Sequence, residues 1–197
     1  MEKQTSKEIR STVTKEGFME ISIIESQIPK LKDNEVLVRM EAAPINPSDL
    51  GRLLSHAADL SEINTMDNNQ ITQIKIKLKE KLMAPLKPRL DQSLSLGNEG
   101  AGIVVDAGSQ AKEMIGKTVG LAGGGMYCQY RCMPANNCLL MDDQTSPEEA
   151  ASSFVNPMTA LGFIETMKLE GHEALIHTAA SSNLGQMLIK ICKTDSV

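Results

Sequence analysis

Apolar and polar positions alternate with a period of two over much of the first 145 residues. Phe18 to Glu25 and Glu35 to Glu41 are β-rich runs, and Val36, Val38 and Met40 mark the buried side of a half-exposed strand. Gly100 to Gly108 reads as a strand bracketed by glycines. Lys117 to Ala122, Met126 to Met133 and Asn137 to Met141 follow as short strands with Gly-rich or Pro-containing turns between them. Many short strands with such punctuation predict a barrel or sandwich. Residues 1 to about 15 are polar and read as loose. Between 55 and about 95 the pattern is less decisive. Ile71, Ile74, Leu78 and Leu82 share one helical face, yet Lys75, Lys77, Lys79 and Lys81 alternate with apolar residues as in a strand. Length and the lack of turn residues favour a helix here.

Near residue 146 the period changes. Ser146-Pro-Glu-Glu149 combines a capping serine, proline at the first helical position and glutamate three residues on, which signals a helix start. Asn156-Pro157 repeats the logic and predicts a helix to about Lys168, stopped near Gly171. Ala174 to Thr178 then reads as a strand, Ala179 to Gly185 as a tight turn and Gln186 to Lys193 as a helix. A strand, a small-residue turn and a helix open a dinucleotide-binding domain, where the pyrophosphate rests on the helix N-terminus. Such a domain needs about six strands. Twelve residues follow Gly185, so one unit is expected and not the remainder. Within the turn only Gly185 is a glycine. Ser181, Ser182 and Asn183 supply hydroxyl and amide groups able to donate to phosphate oxygens, and Ser182 or Asn183 is placed to cap the helix. A purely structural turn would look much the same.

Composition narrows the function classes. Of 197 residues, 41% are hydrophobic, and with 3% aromatic and no Trp the core must rest on Ile, Leu, Val and twelve Met. A net charge of −5 gives no electrostatic case for nucleic acid or an anionic membrane. No stretch approaches the ~18 apolar residues of a membrane span, and no N-terminal run resembles a signal peptide. Cys128, Cys132, Cys138 and Cys192 lack the paired spacing of a zinc ribbon and read as free, buried thiols. They suit the cytoplasm or another reducing intracellular compartment. His56, His172 and His177 have no ligand spacing among them.

Four motifs occur in a fixed order: Glu35 to Asp49, ending Pro44-Ile-Asn-Pro-Ser-Asp49; Gly97-Asn-Glu-Gly-Ala-Gly102; Val155-Asn-Pro-Met-Thr-Ala160; and Ala179-Ala-Ser-Ser-Asn-Leu-Gly185. Together they resemble the medium-chain dehydrogenase/reductase superfamily, in its zinc-independent quinone oxidoreductase and enoyl-thioester reductase branch. The likeness covers roughly residues 18–54 and 95–193. It implies a β plus α/β protein: a GroES-like barrel over 1–145 with a helical insertion at about 55–95, then the first part of a Rossmann-type domain over 146–197. It implies NADP(H) ahead of NAD(H), no zinc, a small-molecule substrate and, for a full-length protein, a homodimer. By motif, Asn46, Ser48 and Asp49 would lie near the nicotinamide. Asn156 and Thr159 would help hold the cofactor, and Ala179, Ser181, Ser182, Asn183, Leu184 and Gly185 would take the pyrophosphate. The bland reading of Asn46 and Asp49 is that they fix a turn after a strand.

Departures from the pattern matter as well. Zinc enzymes of the superfamily place Cys where this chain has Pro47-Ser48-Asp49 and His where it has Asn98. Enoyl-thioester reductases carry a tyrosine proton donor soon after the Asn-Pro-Ser-Asp motif, and here none follows. Tyr127 and Tyr130 fall in a later strand and read as packing. The residue that would read the cofactor ribose belongs after a second Rossmann strand. Two readings result: a reductase passing hydride to a quinone, conjugated carbonyl or enoyl thioester, or a truncated member acting as a binding module or an inactive fragment.

Overall fold

A computed structural model describes residues 5–66 and 73–195. Its strands are β1 (Thr5–Val13), β2 (Phe18–Gln27), β3 (Glu35–Ala42), β4 (Ala58–Met66), β5 (Gln73–Leu78), β6 (Ser93–Ser95), β7 (Glu99–Ala107), β8 (Thr118–Ala122), β9 (Tyr130–Pro134) and β10 (Cys138–Leu140). They form two five-stranded sheets, ordered β4-β5-β2-β1-β6 and β10-β8-β7-β3-β9. The short strip 127–129 joins the two. Ile9 N donates to Tyr127 O (2.9 Å), Gln129 N to Lys7 O (2.9 Å) and Met40 N to Gln129 O (2.9 Å). The expected curled β domain is therefore present, and its main core gathers Val36, Val38, Val104, Val119, Leu121 and Met126.

Two expectations fail in the first sheet. The polar start is not loose, because residues 5–13 form β1, paired with β2 along its whole length. Two of its buried positions, Ser6 and Ser11, are serines on opposite faces of the strand, which hides the period. Ser11 is fully buried and its Oγ donates to Arg52 O (3.0 Å), while Ser6 Oγ accepts from Tyr130 N (3.0 Å). Tertiary hydrogen bonds stand in for apolar contact there.

The 55–95 segment is likewise not a helix. It folds back as the antiparallel pair β4 and β5, followed by two 3-10 turns at Glu80–Leu82 and Ala84–Arg89 and by β6. The lysine alternation carried the true period. Ile76 and Leu78 are buried with Val13 and Met19 while Lys77 and Lys79 face out. β2 supplies an edge for β5, with Met19 opposite Ile76 and Glu20 opposite Lys75 (Nζ to Oε1 2.5 Å). Ile71 lies outside the described residues.

The helical part begins with α1 (Pro47–Leu53) inside the β region, then α2 (Pro147–Ala150), α3 (Val155–Leu169) and α4 (Asn183–Asp195). The capping box expected at Ser146 forms: Glu149 N donates to Ser146 Oγ (3.3 Å) and Ser146 N to Glu149 Oε2 (3.0 Å). Asn156 does not cap α3, because the helix starts one residue earlier. Ala160 and Ile164 of α3 pack against Leu188 of α4.

The strand expected over 174–178 is not formed. Leu175 packs toward α4, but Ile176 is 94% exposed. A strand exists through its ladder, and none of the described strands lies beside this segment. The GroES-like barrel with a partial Rossmann unit is thus the fold, with strands in place of the helical insertion. No described helix is long and apolar enough to cross a membrane.

Candidate functional site

The turn after β3 brings the first motif into contact with the second. Asn46 precedes α1, and its backbone N donates to Asp49 Oδ2 (2.8 Å), so the carboxylate at the third helical position closes the turn. Asp49 Oδ1 accepts from Asn98 N (3.0 Å), and Asn98 Nδ2 donates to exposed Ser48 Oγ (2.9 Å). Asn46 Nδ2 donates to Glu99 Oε1 (2.9 Å). Asn46 and Asp49 are buried, and Glu99 is fully so.

Glu99 Oε2 also accepts from Phe154 N (3.0 Å) and Val155 N (2.8 Å). The free amides at the start of α3 are thereby satisfied by a carboxylate from the barrel, where the helix dipole favours negative charge. One buried acid links the Asn46 turn to the helix bearing Asn156 and Thr159. Asn156 is half-buried in the first turn of α3. Thr159 is exposed, and its Oγ1 donates back to Val155 O (2.5 Å).

Tyr127 completes the cluster from the other side. Its hydroxyl donates to Pro44 O (2.9 Å). Burial, then the charge of Asp49, push its titration up to about 12, so it stays a donor at neutral pH. The same ring borders a recess of about 400 Å³ lined by Ile9, Ile23, Met40, Ala43 and Met126.

Residues 179–182 form a tight turn, and the helix begins at Asn183, three residues earlier than expected, so Asn183, Leu184 and Gly185 make its first turn. Ser182 is the cap: Gly185 N donates to its Oγ (3.0 Å), and that Oγ donates to Ala179 O (2.7 Å). A Cβ at Gly185 would lie 2.5 Å from Ala180 O and 2.6 Å from Ala179 O, so only glycine lets the turn close on the helix. Ala179, Ser181, Ser182 and Asn183 are exposed and Leu184 is half-buried. The Asn183 and Leu184 amides open a 13-residue helix, where no intrahelical carbonyl reaches them. That donor set fits a pyrophosphate. The hydrogen bonds described for the turn stay within residues 179–186.

The acids of the first cluster do not suit a metal. Both oxygens of Asp49 and both of Glu99 already accept from protein donors. No group of three or more His, Cys, Asp or Glu among the described residues is arranged to hold an ion. The four cysteines are free and half-buried, and burial pushes the Cys128, Cys132 and Cys138 thiols up to about 11.

Sequence reasoning quoted the motif around Glu99 without giving that residue a role, and it set Tyr127 aside as packing. The signal for Glu99 was available. A carboxylate set directly before Gly100 to Gly108, the segment read as a strand, and among small residues that give it little cover, requires partners once buried.

Comparison with known proteins bears on the fold and the family. Mitochondrial enoyl-[acyl-carrier-protein] reductase of Xenopus tropicalis is 28% identical over 163 residues, covering 81% of this chain and 38% of that protein. The chloroplastic quinone-oxidoreductase homolog of Spinacia oleracea is 25% identical over 181 residues, covering 86% and 47%. A crystal structure designated an NADPH:quinone reductase, from Mesorhizobium loti, shares the fold with a TM-score of 0.64 at 24% identity, covering 98% of this chain and 52% of that one. The chain spans between about two fifths and one half of the length of these relatives. Residues 32–143, more than half of the sequence, match the alcohol dehydrogenase GroES-like domain, and the chain therefore belongs to that family, on the zinc-independent quinone and enoyl reductase side of the medium-chain dehydrogenase/reductase superfamily.

Proposed function

We propose that this chain carries the substrate-facing part of an NADP(H)-dependent reductase that acts without zinc on a quinone, a conjugated carbonyl or an enoyl thioester. The observation that carries the reading is the bonded series from Asn98 and Asp49 through Asn46 and Glu99 to the start of α3. It fixes polar groups where a barrel meets the beginning of a cofactor-binding unit, and it leaves no acid free for a metal. In this reading residues 1–145 are the catalytic domain and 146–197 open the cofactor domain.

When bound, NADP(H) supplies the hydride. Asn183 and Leu184 would face its pyrophosphate with backbone amides, aided by Ser181 and Ser182 beside Ala179, while Gly185, its own amide held by Ser182 Oγ, lets the turn close on the helix. Asn156 and Thr159 would flank it at α3. Asn46, Ser48 and Asp49 would orient the acceptor, with Asn46 held by Glu99 and Asp49 held by Asn98. The test is titration of NADPH fluorescence with the chain, then NADPH oxidation at 340 nm with a quinone and with an enoyl thioester. Saturable binding that weakens on Ser182→Ala is expected, and no binding at millimolar NADPH would sink the reading.

A second reading is favoured by one observation. Leu169 (84%) and Ile176 (94%) are large apolar side chains left exposed in the helical part, as in a family member that acts by binding or is inactive. Sedimentation decides here, since a monodisperse monomer with one cooperative melt opposes that reading.

A further inference from the structure

We infer that Tyr127 is a positioning residue of the candidate site, clamping the Ala43–Asp49 turn so that Asn46 and Asp49 keep their places against Glu99 and Asn98. The inference rests on the reading of that cluster as a substrate site. Three contacts carry it. The Tyr127 hydroxyl donates to Pro44 O at 2.9 Å, two residues before Asn46. One edge of the ring packs against Gly97, whose φ is +89°, and a Cβ there would sit 2.6 Å from Tyr127 Cδ1 and 2.9 Å from Cε1. The backbone is pinned as well, with Tyr127 N on Leu96 O (3.0 Å) and Ile9 N on Tyr127 O (2.9 Å).

A bonded backbone, a ring edge seated on Gly97 and a directed hydroxyl make this phenol a strut under the turn. It meets the turn at Pro44, while Asp49 closes the far end onto Asn46 N and Asn98 N. The position is occupied from both sides of the barrel seam, because residues 127–129 are also the strip that joins the two sheets. Tyr130, three residues on, lies in β9 opposite Arg39 and takes no part in the cluster. The charge of Asp49 also acts on the phenol, after burial, to hold its titration up.

The test is amide hydrogen exchange by NMR on the full chain and on Tyr127→Phe, which keeps the ring and removes only the hydroxyl. Loss of one hydrogen bond should speed exchange at Asn46, Asp49 and Leu50 about fivefold, with Val104 and Val119 in the core unchanged. No change at the turn overturns the inference. So does a uniform change at every amide, which would mark Tyr127 as general packing. A second measurement avoids that variant. With Tyr130→Phe, the remaining phenol is expected to be only a few per cent ionised at pH 10.5 by absorbance at 295 nm, where an ordinary phenol is about three quarters ionised. Adding Asp49→Asn should raise that fraction, and an unchanged fraction places the phenol away from the turn. Neither readout uses NADPH. Failure to bind cofactor therefore strikes the proposed activity and leaves the clamp standing, while a flat exchange profile does the reverse.

Discussion

Removing the Glu99 side chain should cost far more than removing its charge. The carboxylate is fully buried and accepts from Asn46 Nδ2, Phe154 N and Val155 N. Glu99→Ala leaves three buried donors without an acceptor, each worth about 1–3 kcal/mol. Water entering the vacated space offsets part of this, so the sum should fall at about 3–5 kcal/mol, a large share of the ~5–15 kcal/mol typical of a whole domain. Glu99→Gln keeps one oxygen for the two backbone amides, and Asn46 can turn its own amide to accept from the new NH2 group. Only the charge assistance is lost, at about 1–2 kcal/mol. The assay is urea unfolding followed by far-UV circular dichroism, since the chain has no Trp. With m near 2 kcal/mol/M, the alanine variant should melt about 1.5–2.5 M earlier than its parent at unchanged m. A loss below about 1 kcal/mol for Glu99→Ala would refute the bonded network. Equal losses for both variants would mean that charge, and not the three geometric contacts, holds the junction.

Other outcomes can be checked in parallel. Ser182→Ala removes the acceptor for Gly185 N and should destabilise the start of α4 by about 1 kcal/mol, seen as faster exchange at Gly185 and Gln186. Gly185→Ala drives a Cβ onto two carbonyl oxygens of the turn and should cost about 1–3 kcal/mol; a neutral effect in the same urea assay would contradict the tight turn. The thiols of Cys128, Cys132 and Cys138 titrate near 11 when folded against 9.0 when free. The unfolded chain thus releases these protons first. Stability from this source is intact below pH 9 and falls between about pH 9 and 11, and a urea midpoint constant over that range would be inconsistent with buried thiols.

How much of this was legible depended on whether a residue's partner lay nearby in sequence. The Ser146 box and the stop at Gly171 are local, and both formed as read: Gly171 N bonds Lys168 O and His172 N bonds Met167 O. The strands of the main barrel carried their own apolar period. β1 did not, because its buried Ser6 and Ser11 lie on opposite faces and find their partners at Tyr130 and Arg52. The 55–95 segment held two superposed periods, and the edge offered by β2 selected the strand. In the candidate site, Asn46, Ser48 and Asp49 do come together. Their holders, Asn98, Glu99 and Tyr127, lie 49 or more residues away along the chain, beyond the reach of any local pattern. The 174–178 run failed in the opposite sense. Its residues suit a strand, but a strand is a property of two segments.

The strip 127–129 has a consequence for synthesis. Lys7 N bonds the Gln129 side chain across 122 residues of sequence, and Ile9 N needs Tyr127 O. On a ribosome adding about 5–20 residues per second, β1 can pair with β2 as soon as both have emerged. The part of its other edge at Lys7 and Ile9, beyond the reach of β6, then waits roughly 6–25 seconds for residues 127–129. During that interval the nascent chain presents open amides and carbonyls on β1, so encounters with chaperones, or with neighbouring nascent chains, should concentrate on that strand.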